Sequence, residues 1–237
     1  MQKKKIYSLL VLLALVVISK TNAQFNIKVG YSGGFTKAPV LNGIVDRYNI
    51  KFGKADAPLE QFRSLHGLEI GLRYRLSRVG FEVSWNSMTD RNAVVGRPVT
   101  GPSTGVFFQD KYYLSLSEFS FGLENYFGNI GYGASIGYRT ARMKTDITGS
   151  TKKKREVLSE SGLCSKFYLI FQYPGDKVGI ALKPYIQLPL ADLNMRNFDT
   201  ELNRELDGNT NYVAPDPQKE KFMMYGFSIV LYNGKQK

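Results

Sequence analysis

The sequence predicts an all-β chain: a closed, antiparallel, up-and-down transmembrane β-barrel of eight strands with long extracellular loops. Three observations predict it. Apolar residues recur at every second position in eight segments. The connections between those segments are alternately short and long. The chain opens on the pattern of an export leader, and no later stretch is apolar and long enough to span a bilayer as a helix. A membrane role after export then requires a closed barrel, because an open sheet would leave backbone groups unpaired in lipid.

Lys3, Lys4 and Lys5 make a positive start, and an apolar run from Ile6 to Ile18 follows, broken only by Ser8. Thr21, Asn22 and Ala23 then supply the positions a signal peptidase reads. Residues 1–23 are expected to be a signal peptide cleaved near Ala23-Gln24, and residues 24–237 the barrel domain. No Cys follows the apolar run, which excludes a lipoprotein anchor.

The first strand is clear. Phe25, Ile27, Val29, Tyr31, Gly33 and Phe35 alternate with Asn26, Lys28, Gly30, Ser32 and Gly34. Leu68, Ile70, Leu72, Tyr74 and Leu76 repeat the pattern, as do Ile130, Tyr132, Ala134, Ile136 and Tyr138. Five weaker runs join them, at Val79–Met88, Tyr112–Phe127, Leu163–Tyr173, Val178–Leu188 and Phe222–Tyr232. Each is near the ~9–11 residues that cross a bilayer at a tilt.

Short turns are expected at Ser77–Arg78, Gly128–Asn129 and Pro174–Lys177, all rich in turn residues. Long loops are expected at Thr36–His66, Thr89–Lys111, Met143–Gly162 and Pro189–Lys221. That asymmetry places both termini in the periplasm and the long loops outside the cell. Ten or twelve strands would result if a long loop held a further hairpin.

A soluble lipocalin-like barrel also alternates, with its apolar set inward. Three features favour apolar-out. The polar set combines Gly and Ser with charges of both signs: Lys28, Glu69, Arg73, Arg75, Glu82, Glu118, Glu124, Arg139, Lys166 and Lys183. An eight-stranded lumen is filled by side chains, so such charges pair there. Aromatics stand near strand ends, at Phe25, Phe35, Tyr74, Tyr113, Tyr126, Phe127, Tyr138, Tyr173 and Tyr232, as an interfacial girdle. The loop asymmetry is the third. Tyr168 and Ile170 fall on the inward parity of their strand. Pro184, which has no ladder donor, and the change of phase between Leu116 and Phe119 each predict a bulge.

Composition narrows the function. One Cys and one His exclude a disulfide framework and most metal or triad chemistry, so no cofactor and no metal site is expected. The net charge of +12 and pI near 9.6 would suit nucleic acid, but export and the lack of a recognition motif exclude that partner.

The leader, the Gln24-Phe25 start, the eight segments and the final strand Tyr225–Tyr232 resemble small outer-membrane β-barrel proteins. The style is that of the outer membrane protein beta-barrel domain group, which includes PorT-like proteins. Gly226, Ile229 and Leu231 look like the carboxy-terminal signal read by the barrel-assembly machinery, although Asn233 to Lys237 follow it. The resemblance implies an outer-membrane location in a Gram-negative cell, contact with lipid and lipopolysaccharide, and roles in transport, secretion or adhesion. None of these transfers to a particular residue.

The candidate lumen network is Lys28, Glu69, Arg73, Arg75, Glu82, Glu124 and Arg139. It would either block the bore as ion pairs or line a narrow conduit. Lys152, Lys153, Lys154 and Arg155 form a basic loop cluster that would attract lipopolysaccharide phosphates or an acidic partner, or stand solvated at a loop tip. His66, with Ser64 and Glu69 near it, resembles the residue types of lipid A deacylases on barrels; the plain alternative is an interfacial His with no catalytic duty. Leu41, Ile44, Val45 and Tyr48 make one apolar face of a short helix, which would plug the mouth, pack on the rim or dock a partner. Leu193, Phe198, Leu202 and Leu206 recur less regularly in the fourth loop, before an Asp207-Gly208 turn. Cys164 is expected to be a small buried or lipid-edge residue.

These readings converge on a non-enzymatic outer-membrane barrel that acts through its loops, as an interaction or structural protein or as an accessory to an envelope complex with a protein partner. The alternatives are a narrow transport channel and a lipid-modifying enzyme.

Overall fold

The computed structural model describes residues 23–53, 55–97, 105, 107–148, 154–207, 211–215 and 218–234. The leader up to residue 22 lies outside them, as do Lys152 and Lys153.

Eight antiparallel strands close into one wall: β1 (Ala23–Lys37), β3 (Ser64–Leu76), β4 (Val79–Gly96), β5 (Phe108–Phe127), β6 (Ile130–Asp146), β7 (Arg155–Tyr173), β8 (Val178–Pro189) and β11 (Met223–Asn233). Each pairs with its predecessor, and β11 returns to β1, as at Tyr31↔Ile229. A short β2 (Ala55–Ala57) pairs with the far end of β4, and β9 (Leu193–Asn194) pairs with β10 (Lys219–Glu220). Two helices sit in the long connections: α1 (Pro39–Phe52) and α2 (Arg196–Asp207). The extra strands lie outside the wall, so the barrel keeps eight.

Following one row of paired residues from Tyr173 around the wall leads to Leu163 on the same strand. The ten-residue offset is the shear of the barrel. With strands about 4.8 Å apart and about 3.3 Å of rise per residue, it tilts the strands by about 40°.

The outward face at mid-wall is continuous and apolar. Phe25, Ile27, Val29 and Tyr31 on β1, Ile70 and Leu72 on β3, and Phe119 and Phe121 on β5 are all about half exposed. From Phe25 to Phe35 the band follows about 33 Å of strand, or about 25 Å along the barrel axis, the height of a hydrocarbon belt. The inward face carries the charges. The barrel is therefore a transmembrane one, apolar side out.

Four wall strands run further than their alternation predicts. β4 continues to Gly96, β5 begins at Phe108, β6 reaches Asp146 and β7 begins at Arg155. The loops expected at Thr89–Lys111 and Met143–Gly162 are thus largely strand. Above the belt the two faces exchange chemistry: outward positions such as Thr89, Arg91, Arg142 and Ser159 meet water, while inward Met88, Val94, Leu114 and Met143 meet an apolar cap. The pattern inverts without any break in the backbone.

The same inversion removes the bulge expected between Leu116 and Phe119. Leu116 pairs with Met88 and Phe119 with Trp85 in one unbroken register, and Tyr112, Leu114, Leu116, Glu118 and Ser120 all face inward. Pro184 produces no bulge either. Phe227↔Pro184 holds its register with β11; on the β7 side the ladder is interrupted between Tyr168↔Tyr185 and Phe171↔Leu182 and resumes in step. A missing donor removes a bond there without adding a residue. The register shift in the wall lies instead at Met143/Lys144, opposite β7. Tyr168 and Ile170 do point inward.

Candidate functional site: a sealed bore and its cap

Alternation aims eight columns of side chains at one narrow bore. At mid-bore, Lys28 on β1 donates to Glu69 on β3 and lies 2.6 Å from Glu82 Oε1 on β4. Lys183 on β8 reaches Glu82 Oε2 at 2.7 Å and Glu124 Oε1 on β5 at 2.6 Å. Ser32 donates to Glu69 Oε2 at 2.6 Å and Tyr232 to Glu82 Oε2 at 3.2 Å. Two ammoniums and three carboxylates from five strands thus share one buried chain of charge-assisted bonds. A buried charge persists only when paired in this way.

Towards the short-turn end the chemistry becomes aromatic. Arg73 stacks 3.6 Å from the Tyr232 ring and donates to Tyr126 Oη and Asn26 Oδ1, both at 2.9 Å. Arg75 lies 3.9 Å from the Tyr126 ring and donates to Gln172 Oε1 at 3.1 Å. Tyr126, in turn, donates to Glu124. Tyr126 and Tyr232 therefore belong to the bore and not to the interfacial girdle: Tyr126 shares its strand parity with Glu124, and Tyr232 stands opposite the inward Lys28. The turn at this end bends tightly at Ser77, whose φ is 51°.

Towards the long-loop end a second cluster surrounds Glu118. Lys166 lies 3.5 Å away, Arg139 Nε 3.8 Å away, and Gln187 donates to the carboxylate. Arg139 also donates to the Phe222 carbonyl at 2.9 Å. Cys164 is buried beside Gln187. Inward glycines make room for these groups: a Cβ at Gly133 would meet the Tyr168 ring at 2.5 Å, and one at Gly137 would meet Glu118 at 3.0 Å.

Of the seven residues proposed for the bore, Lys28, Glu69, Glu82 and Glu124 come together at its centre. Arg73 and Arg75 lie below them in an aromatic setting, and Arg139 lies above them with Glu118. The central member absent from that set is Lys183, whose inward parity was legible. Its partners were not, since Glu82 and Glu124 come from strands that do not neighbour β8.

Above the charges the bore is closed again. Leu41, Ile44, Val45, Tyr48 and Phe52 of α1 and Phe198 and Leu202 of α2 are buried with Phe62, Tyr112, Leu114 and Met143. The helix of the first long loop therefore plugs the mouth, and its apolar face is spent on its own barrel. The expected turn at Asp207 is instead the last residue of α2; Gly208 lies outside the described residues. Polar contacts lock the two helices together: Arg47–Asp199 at 3.1 Å and Lys51–Asn203 at 2.6 Å. Glu220 on β10 accepts from the Leu41 N–H at 2.8 Å, holding the start of α1, where Ala38 offers no side-chain cap.

His66 faces outward and meets Tyr31 Oη through Nδ1 at 2.8 Å, whereas Glu69 faces the bore. The wall separates them, so the His66, Ser64 and Glu69 set cannot act as a triad. Of the basic cluster, Lys154 lies 5.2 Å from the Tyr113 ring and Arg155 pairs with Glu201. Among the described residues no group of His, Cys, Asp and Glu could hold a metal ion.

The fold is similar to that of solved outer-membrane barrels. Ail, the attachment invasion locus protein of Yersinia pestis, is 12% identical, with 89% of this chain and 99% of that one covered and a TM-score of 0.43. Neisserial surface protein A is 11% identical, with 89% and 98% covered and a TM-score of 0.41. The outer membrane protease OmpT of Escherichia coli is 8% identical, with 92% and 98% covered and a TM-score of 0.37. No family model matches the chain, and no curated protein is significantly similar in sequence.

Proposed function

We propose that the chain is a non-enzymatic barrel of the Gram-negative outer membrane that works through its long-loop end, as an interaction protein or an accessory subunit of an envelope complex. One observation carries this reading: the bore is closed twice, by the Lys28–Glu82–Lys183–Glu124 chain at mid-wall and by the apolar cap above it. A bore filled by side chains leaves no path for a solute. What the protein then offers is its exposed loop surface. The PorT-like style of the sequence accords with an accessory role. The apolar belt would meet outer-membrane lipid, and β11 would be read by the barrel-assembly machinery during insertion.

The test is affinity capture of the native protein from outer membranes in mild detergent. The reading predicts a stoichiometric partner that is lost when the exposed Ile50 of α1 and Phe107, just before β5, are changed to Ser. Recovery of the protein alone, together with stable ion conductance, would overturn it.

A further inference from the structure

One groove at the long-loop end gathers three arginines. It encloses about 370 Å³ between the start of β7 and one face of α2, within the range of small-molecule sites. Arg155, Arg196 and Arg204 line it, against the carboxylates Glu156 and Glu201, with Asn197 and Thr200 beside them. The cations outnumber the acids.

These guanidiniums are held in place. Arg196 Nε donates to the Ala214 carbonyl at 2.9 Å, and Arg204 Nε donates to the Tyr212 carbonyl at 2.8 Å. Glu201 pairs with Arg155 and lies 3.6 Å from Arg204 Nη1. A guanidinium has five donors in a rigid fork that matches a phosphate, and these three are anchored at Ala214, Tyr212 and Glu201 before any ligand arrives. Prior fixation lowers the ordering cost of binding.

Position selects the source of the phosphate. Arg155 stands eight residues beyond Leu163, the outermost outward apolar residue of β7; the outward positions between include Ser159 and Ser161. At about 3.3 Å per residue and a tilt of about 40°, that is about 20 Å above the edge of the belt. The headgroup layer rises only about 5–7 Å above the hydrocarbon. A lipid phosphate is therefore out of reach, while a phosphate on a glycan chain is within it. Asn197, exposed beside the arginines, adds an amide suited to sugar hydroxyls, while Thr200 is buried and accepts from the Ala214 N–H at 3.0 Å.

We propose that the groove formed by Arg155, Arg196 and Arg204 binds the phosphate of a phosphorylated saccharide standing clear of the membrane surface. This rests on the reading of the long-loop end as the interaction surface, and names the chemistry it recognises.

The test is calorimetric titration of the full chain in detergent micelles with glucose 6-phosphate, glucose and inorganic phosphate. The sugar phosphate should bind about tenfold more tightly than inorganic phosphate, and glucose should give no heat. Arg196→Gln and Arg204→Gln should each weaken the sugar phosphate about tenfold, and Asn197→Ala should weaken it without affecting inorganic phosphate. Arg91→Gln, outside the groove, should change nothing. Circular dichroism of each variant checks that the barrel is folded. Equal affinity for both phosphates, unaltered binding in the Arg variants, or competition by phosphatidylglycerol would each overturn the site. Conductance of the same preparation separates the two claims: a silent barrel that binds no sugar phosphate loses only this groove, and a conducting one loses the reading beneath it.

Discussion

Lys183 Nζ lies 2.7 Å from Glu82 Oε2 across the middle of the bore, although 101 residues separate them and β8 and β4 are not neighbours in the wall. Only closure of the barrel brings them together. The pair therefore reports closure directly, and a barrel with wrong shear would separate it. Glu82 also receives Lys28, Tyr232 and Ser84, so four groups converge on one carboxylate.

Glu82→Ala leaves two buried ammoniums short of a partner. Breaking such a buried pair costs about 3–5 kcal/mol. Urea unfolding in lipid vesicles should show a loss of that size, and Glu82→Gln should lose less because it keeps an acceptor. A change below about 1 kcal/mol would mean that water already reaches the centre of the bore.

Ile136 faces lipid, so Ile136→Arg should cost about 2–4 kcal/mol near the midplane. Ser159 faces outward above the belt on β7, and Ser159→Arg should fall within about 0.5 kcal/mol of the parent. The same unfolding assay compares the two. Equal costs would misplace the belt.

Phe198 is fully buried in the cap. Phe198→Ala removes about 3–5 kcal/mol of packing from the loops. Amide exchange of α1 and α2 should accelerate together, because Tyr112 packs edge-on against both Tyr48 and Phe198. Exchange in the mid-wall strands should be unaltered, since their ladders do not pass through the cap.

Glu220 links the cap to pH. Burial pushes its carboxyl above the ordinary carboxylate range, against the pull of the Leu41, Lys221 and Val40 backbone N–H groups. A raised folded value means the folded cap holds a proton that the unfolded loop has already released. The cap is then most stable below the ordinary carboxylate value and loses stability as pH rises from there through the raised one. Protection factors for α1 should fall across that window in the parent and stay level in Glu220→Gln. A level profile in both would remove Glu220 from the linkage.

Much of the barrel was legible. The parity of Phe25, Ile27 and Val29 against Asn26 and Lys28 predicts both faces of β1, and the Ser77–Arg78 and Gly128–Asn129 turns stand where their residues place them. The upper strands extend past their alternation because a period-2 pattern records environment as well as structure. At Leu116 and Glu118 the inner face passes from apolar cap to charged bore, which imitates a bulge. Tyr126 and Tyr232 show a related ambiguity: an aromatic ring suits either an interface or a cation, and parity with Glu124 or pairing with Lys28 distinguishes them. The pairing of Lys183 with Glu82 depends on closure and shear, which no local spacing encodes. The groove of Arg196 and Arg204 depends on the carbonyls of Ala214 and Tyr212, in a segment without any periodic pattern.

Side chains seal the bore at two levels. Single-channel recording of the full chain in planar bilayers at high potassium chloride tests that seal most directly. A sealed bore predicts a silent membrane, with Phe198→Ala also silent because the charge network alone still blocks the path. Stable, reproducible conductance steps from the parent protein would contradict it.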